Sequence, residues 1–219
     1  MGIFNSRKSK IFCVSFQRTG TTSVGQFFKD HGYKVASYDD IVSTKWSYER
    51  FIGNYEKIFK SKEFKKNQVF EDNPWWEGDF YKFLFNRFPN SKFILFTRNP
   101  DSWFNSMLKH SNGLSLGNTF IHSKIYRREN ELYSKFPDIN HFHTLKYIDN
   151  KLKIEEKHRQ HYINLYNLKN KEIIDFFNFM NPKSLFVCPL EDQAKWLKLG
   201  SFFKINVDKN YNVHANKSK

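Results

Sequence analysis

The sequence predicts an α/β fold: three layers, with helices on both faces of a central parallel sheet and a phosphate-binding loop after the first strand. Three observations predict it. Short apolar runs rich in β-branched and aromatic residues alternate with segments of helical period, which implies crossover connections and parallel pairing. The first such run leads straight into the turn-prone Gln17-Arg18-Thr19-Gly20. The strongest run leads into Arg98-Asn99-Pro100, with proline placed to open a helix. Ligands of such sheets bind beyond the carboxyl ends of the strands, so the residues just after each strand are the informative ones.

The elements follow in order. Residues 11–16 (IFCVSF) read as the first strand, and 22–31 as a helix stopped by Gly32. A short strand is expected near Val35, and another at Val69 and Phe70, ending at Asn73-Pro74. Residues 75–88 read as an aromatic-rich helix closed by Pro89-Asn90. Residues 92–97 (KFILFT) form the clearest strand, and a helix runs from Pro100 through Lys109. Periodicity is weak over 113–147; helical patterns return over about 151–179. Residues 184–188 (SLFVC) are the last strand, and 191–203 the closing helix.

A length of 219 residues suits one domain. With 25 Phe, 11 Tyr and 5 Trp the chain can bury a real core, which excludes a disordered basic tail. No apolar run approaches the roughly 20 residues that span a bilayer. Cys13 and Cys188 are the two cysteines, both inside apolar runs, and are expected to be reduced core thiols. The run 11–16 is too short for a signal-peptide core and no small-residue cleavage site follows, so the expected compartment is the cytoplasm. Residues 1–6 also match a myristoylation pattern at Gly2, with Arg7, Lys8 and Lys10 as an accompanying basic signal. The 36 basic residues exceed the 22 acidic ones by 14. That charge admits nucleic acid, an anionic surface or small anionic ligands.

The segment Gln17-Arg18-Thr19-Gly20-Thr21-Thr22-Ser23 has the design of a phosphate loop. Gly20 lets backbone approach an anion, the helix start offers N–H groups and a favourable dipole, and three hydroxyls add donors. Arg18 adds a charge with a bidentate fork. It is not the loop of nucleotide triphosphatases, because Ser15 stands where the first glycine belongs and Thr21 where the lysine belongs. After the strong strand, Arg98 and Ser106 lie eight residues apart, a little over two helical turns, and could converge on one anion.

Together the two elements resemble the sulfotransferase family, which uses phosphoadenosine phosphosulfate (PAPS) as sulfuryl donor. Arg18, Thr19, Gly20, Thr21, Thr22 and Ser23 match the family's loop for the phosphosulfate, and Arg98 with Ser106 matches its 3′-phosphate element. Residues 93–107, the segment Pro189-Leu190-Glu191-Asp192 with Trp196, the 199–203 region and the ending Val213-His214-Ala215-Asn216-Lys217 are similar to small bacterial-type members. The resemblance fades over about 113–147. It implies a P-loop-like sulfotransferase fold in a single domain over 1–219, with a variable acceptor-side segment at about 113–150. It implies sulfuryl transfer from PAPS to a hydroxyl or amine of a small-molecule or glycan acceptor, without a metal. Many members carry lysine where this chain has Arg18. Arginine keeps its proton, so Arg18 is expected to stabilise charge on the leaving oxygen rather than to act as an acid.

The acceptor must lose a proton, and a carboxylate can take it. Asp72, just past the Val69–Phe70 strand, is the first candidate. Asp40, with Asp39, is the second. Glu71 is expected on the opposite face by alternation. His141 and His143 are the only His-x-His pair and are expected to be solvated. His158, Arg159 and Tyr162 share one helical face, and Trp75 and Trp76 suit either acceptor stacking or core packing. The acceptor pocket is expected mainly from 113–147 and the helices that follow, with Arg127, Arg128, His141 and His143. Alternatives remain: a PAPS- or PAP-binding relative of weak activity, a small-molecule kinase, or a basic nucleic-acid-binding module. Against the last, Glu56 and Glu63 interrupt the lysines of 57–66, and no nucleic-acid partner is expected.

Overall fold

The computed structural model describes residues 9–114, 120–135 and 152–215. The described chain divides into two compact units, residues 1–97 with 173–219, and residues 98–172.

The first unit holds an all-parallel sheet. Its strands are β1 (Ile11–Cys13), β2 (Val69–Phe70), β3 (Lys92–Thr97) and β4 (Leu185–Pro189), in the order β2-β1-β3-β4. Phe12 pairs with Phe70 on one side and Phe93 on the other, and Ile94 pairs with Phe186. Val35 bridges to Val69, where the sequence suggests a short strand.

Alternation along the strands builds two cores. Phe12, Val14, Phe70, Phe93 and Leu95 face one side, with Trp46, Phe64, Trp75, Phe80, Leu84 and Phe177. Ile11, Cys13, Val69, Ile94 and Phe96 face the other, with Val24, Phe27, Phe28, Trp196 and Leu199. Hydrophobic strands with both faces covered are what a parallel sheet requires. Helices α1 (Thr21–Asp30) and α11 (Lys195–Phe203) cover the second face. On the first lie α3 (Trp46–Phe51), α4 (Tyr55–Lys60), α5 (Lys62–Lys66), α6 (Phe80–Arg87) and the end of α10 (Arg159–Met180). Helix α2 (Tyr38–Thr44) precedes α3. Phe12 stacks on Phe70 at 5.3 Å and meets Trp75 at the same centroid distance. Each buried aromatic side chain contributes about 2–3 kcal/mol of transfer free energy.

Several elements are shorter than their sequence patterns: the closing helix, expected from 191, starts at Lys195, and α10 starts at Arg159 rather than near 151. β1 ends at Cys13 because Ser15 turns into the ladder: its buried hydroxyl accepts the Phe96 N–H at 2.7 Å and donates to the Ile94 carbonyl at 3.3 Å. The helix expected from residue 75 starts at Phe80. Gly78 intervenes with φ +49, and a side chain there would meet Arg50 Nη2 at 2.7 Å.

The second unit contains α7 (Pro100–Lys109), α8 (Phe120–Ile125), α9 (Glu129–Lys135) and the first part of α10. Trp103 stacks on Tyr166 at 4.4 Å, and Tyr126 on Tyr162 at 4.7 Å. Both cysteines are buried free thiols. No helix among the described residues is long and apolar enough to cross a membrane.

Candidate functional site

The loop after β1 winds through two left-handed residues, Arg18 at φ 65 and Gly20 at φ 85. For Gly20 the conformation is free of steric cost; for Arg18 it is uncommon and holds local strain. A side chain at Gly20 would also lie 2.7 Å from Leu190 Cδ1, so it would have to displace the tip of that leucine. The half-turn is closed by Thr19, whose buried hydroxyl donates to the Phe16 carbonyl.

Gly20 is the N-cap of α1 and brings no side-chain cap, and the helix's first turn contains no acid. The sequence instead offers Thr21, Thr22 and Ser23. A helix start without a cap or a compensating carboxylate in its own first turn presents its dipole to an external anion. The Ser23 hydroxyl accepts the Ala215 N–H at 3.1 Å, so the C-terminal segment is tied to this helix. Tyr211 donates to Asp30 at the other end of α1, at 2.7 Å.

Glu71 and Asp72 leave β2 beside this loop, and both are half-buried. Glu71 takes the α1 side of the sheet, the face of Val69 two residues before it, as alternation expects. The strand ends at Phe70, and beyond it the carboxyl lies on α1: it accepts a hydrogen bond from Thr21 and is attracted by Lys29. A side chain at Gly25 would begin 2.9 Å from its Oε1. Removal from water, followed by the charge of Asp72, pushes Glu71 up to about 7. Burial also raises Asp72, against the Asn73 N–H that donates to its Oδ1 at 2.8 Å.

Asp40 is placed differently. It completes a capping box with Ser37 at the start of α2, and it accepts from Lys66 at 2.8 Å and Asn67 at 3.0 Å. Burial alone would raise it, but the bonds from Lys66 and Ser37 hold it below the usual carboxylate range. Its lone pairs are occupied in holding the fold, which leaves it a weak base. Asp39 lies in the first turn of the same helix.

Trp75 and Trp76 are buried rather than open to a ligand. Trp75 sits in the first core, and Trp76 meets Phe16 at 5.7 Å. Next to them Glu77 is fully enclosed, 3.5 Å from Arg50, and burial pushes it up to about 7.

In the second unit, Arg98 directly precedes the Asn99 cap of α7. Asn99 accepts from the Ser102 N–H at 3.0 Å, and Pro100 opens the helix. Unlike α1, this helix is capped by its own chain; Arg98, just before the cap, and Ser106, within the helix, are both half-buried. Tyr166 of α10 fixes the Arg98 backbone: its hydroxyl accepts the Arg98 N–H at 2.7 Å and donates to the Arg98 carbonyl at 3.2 Å. Arg159 holds α7 through Asp101 at 3.0 Å and Asn105 at 2.7 Å. Its helical neighbours His158 and Tyr162 turn instead to Arg128. Arg128 is 6% exposed and bonds Glu131, the Leu152 carbonyl and the Tyr162 hydroxyl. Arg128 is therefore a packing cation. His158 Nδ1 accepts the Glu155 N–H, and burial followed by the Arg128 charge lowers it to about 4.

Of the acids the sequence sets against the lysines of 57–66, Glu56 pairs with Lys60, while Lys57 pairs with Glu49 and Lys66 with Asp40 from elsewhere in the chain. Among the described residues no group of three His, Cys, Asp or Glu is arranged to hold a metal ion. His141, His143 and the Gly2 pattern lie outside the described residues. Tyr166 is the neighbour of these elements that sequence reasoning missed; Glu71 is set aside there in favour of Asp72, and Leu190 is named there only within a segment similar to the family. For Glu71 the overlooked signal is Gly25, a helix-interior glycine that makes room for a neighbour. A family model described as a sulfotransferase domain matches residues 10–219. No curated protein matches the chain.

Proposed function

Because the chain belongs to the sulfotransferase domain family, we propose that it moves a sulfuryl group from PAPS to a hydroxyl or amine of a small-molecule or glycan acceptor. The observation that carries the donor assignment is the start of α1: a left-handed glycine with no side-chain cap, no acid in the first turn, and three hydroxyl residues behind it. That arrangement suits a phosphosulfate and lacks the lysine of a triphosphate loop.

When bound, PAPS supplies an activated sulfuryl group on a leaving phosphate. Gly20 and the first turn of α1 hold its anionic end. Arg18 stays protonated and neutralises the charge that builds on the leaving oxygen. Arg98 and Ser106 bind the 3′-phosphate. Asp72 takes the proton of the acceptor hydroxyl or amine, and the raised proton affinity produced by burial makes it a stronger base than an exposed aspartate. Asp40, with its lone pairs occupied, serves the fold.

Calorimetric titration with PAP, ATP and a short oligonucleotide tests the reading. PAP binding well above ATP is expected. Preference for ATP would indicate a kinase, and salt-sensitive oligonucleotide binding alone would indicate a nucleic-acid module; either result overturns the proposal. An acceptor screen with labelled donor then identifies the second substrate.

A further inference from the structure

Glu71 takes no part in the scheme above, yet it lies on the helix that would hold the donor. Among the described residues, the groups around it include Thr21, Gly25 and Lys29 from α1, Cys13 from β1, and Asp72 from its own segment. Glycine at position 25 is what lets the carboxyl lie there, because a Cβ would come within 2.9 Å of its Cγ and Oε1.

The Thr21 hydroxyl has one hydrogen. With Glu71 ionised, that hydrogen is given to the carboxylate, and Thr21 turns only lone pairs toward an arriving anion. With Glu71 protonated, the carboxyl O–H donates to Thr21 Oγ1, and the Thr21 hydrogen is free to turn toward the anion.

We propose that Glu71 is a positioning residue of the donor site, whose protonation sets the direction of the Thr21 hydroxyl, so that binding of the anionic donor or its desulfated product draws a proton from solvent onto Glu71. The inference rests on the donor reading above. The balance is simple: one proton moves from buffer to the Glu71 carboxylate, the Thr21 hydrogen rotates without leaving its oxygen, and no bond to sulfur is involved. Burial and the Asp72 charge already bring Glu71 near neutrality, against Lys29 and Thr21. A nearby anion raises it further.

The test is PAP titration from about pH 6 to about pH 9 in buffers of differing ionisation enthalpy, with wild type, Glu71→Gln and Thr21→Ala. The glutamine amide donates to Thr21 as the protonated acid does, but gains no proton. Wild type should take up a proton on binding and lose affinity about tenfold per pH unit above neutrality. Glu71→Gln should take up one proton fewer and keep its affinity at the alkaline end. Ionisation of PAP itself is common to all three proteins and cancels in the differences. Thr21→Ala should cost most at acidic pH and converge on wild type at alkaline pH, a readout that needs no change at Glu71. Equal pH dependence in wild type and Glu71→Gln, or a cost of Thr21→Ala that ignores pH, overturns the role of Glu71 and leaves the donor reading standing. If wild type binds no PAP at any pH, the donor reading falls and this inference falls with it.

Discussion

The Ala215 N–H donates to the Ser23 hydroxyl at 3.1 Å, joining positions 192 residues apart. The C-terminal segment is therefore bound along α1, from Ser23 at its start to Asp30 at its end, where Tyr211 bonds the carboxylate and packs on Phe27 and Trp196.

The Asp30 contact gives a pH-dependent prediction. The bond from Tyr211, then that from Gln26, holds Asp30 below its usual value. A depressed carboxylate contributes stability above its unfolded value, 3.8 here, and loses it as pH falls through the folded one. Tyr211→Phe should lower stability at neutral pH, and the difference from wild type should narrow as the solution is acidified below that range. Denaturant unfolding at a series of pH values measures it. A difference that stays constant with pH would place the effect in ring packing rather than in the hydrogen bond.

Gly20→Ala should destabilise the fold by about 1 kcal/mol from the left-handed backbone alone and weaken PAP binding further through the contact with Leu190. Gly20→Ala with Leu190→Ala removes the contact but not the backbone cost. The double variant should therefore recover part of the PAP affinity in a calorimetric titration; recovery of all of it would show that backbone conformation matters little.

Asp72→Asn should lower kcat by about a hundredfold or more, the usual scale of general-base loss, while PAP affinity changes little. Wild-type kcat should fall with acidification as Asp72 takes up its proton, since burial raises that group and only its ionised form accepts. Initial rates against pH, with PAP binding measured in parallel, check both halves. Turnover retained in Asp72→Asn removes it from the role.

Tyr166→Phe keeps the ring stack on Trp103 but removes the hydroxyl that bonds both the N–H and the carbonyl of Arg98. The stability cost should be about 1 kcal/mol. On the proposed donor site the donor KM should rise more than kcat falls, because the hydroxyl would hold Arg98 at the 3′-phosphate and not the reacting atoms. Steady-state kinetics with the donor varied separates the two.

Much of the scaffold was legible in the residues. β3 and α7 run as expected from the KFILFT run and Pro100. The sheet is parallel as the alternation of strands and helices implies. Local signals mislead where a side chain reaches across elements. Ser15 looks like part of a strand but ends β1 by bonding the neighbouring strand. Asp40 looks like an acid at a strand end but carries the cap of α2, because Lys66 and Asn67 arrive from elsewhere in the chain.

By itself, then, the sequence determined the alternating pattern, the turn from Arg18 to Gly20 into α1 and the helix start at Pro100, because periodicity, glycine and proline act through neighbours along the chain. The tertiary structure alone decided which carboxylates are enclosed and what they touch. Glu71 lies against Gly25 and Thr21, Asp40 is spent on a helix start, and Tyr166 anchors Arg98 across 68 positions. Proton affinity depends on exposure to water and on the charges a few ångströms away, and those are settled only when distant segments pack together.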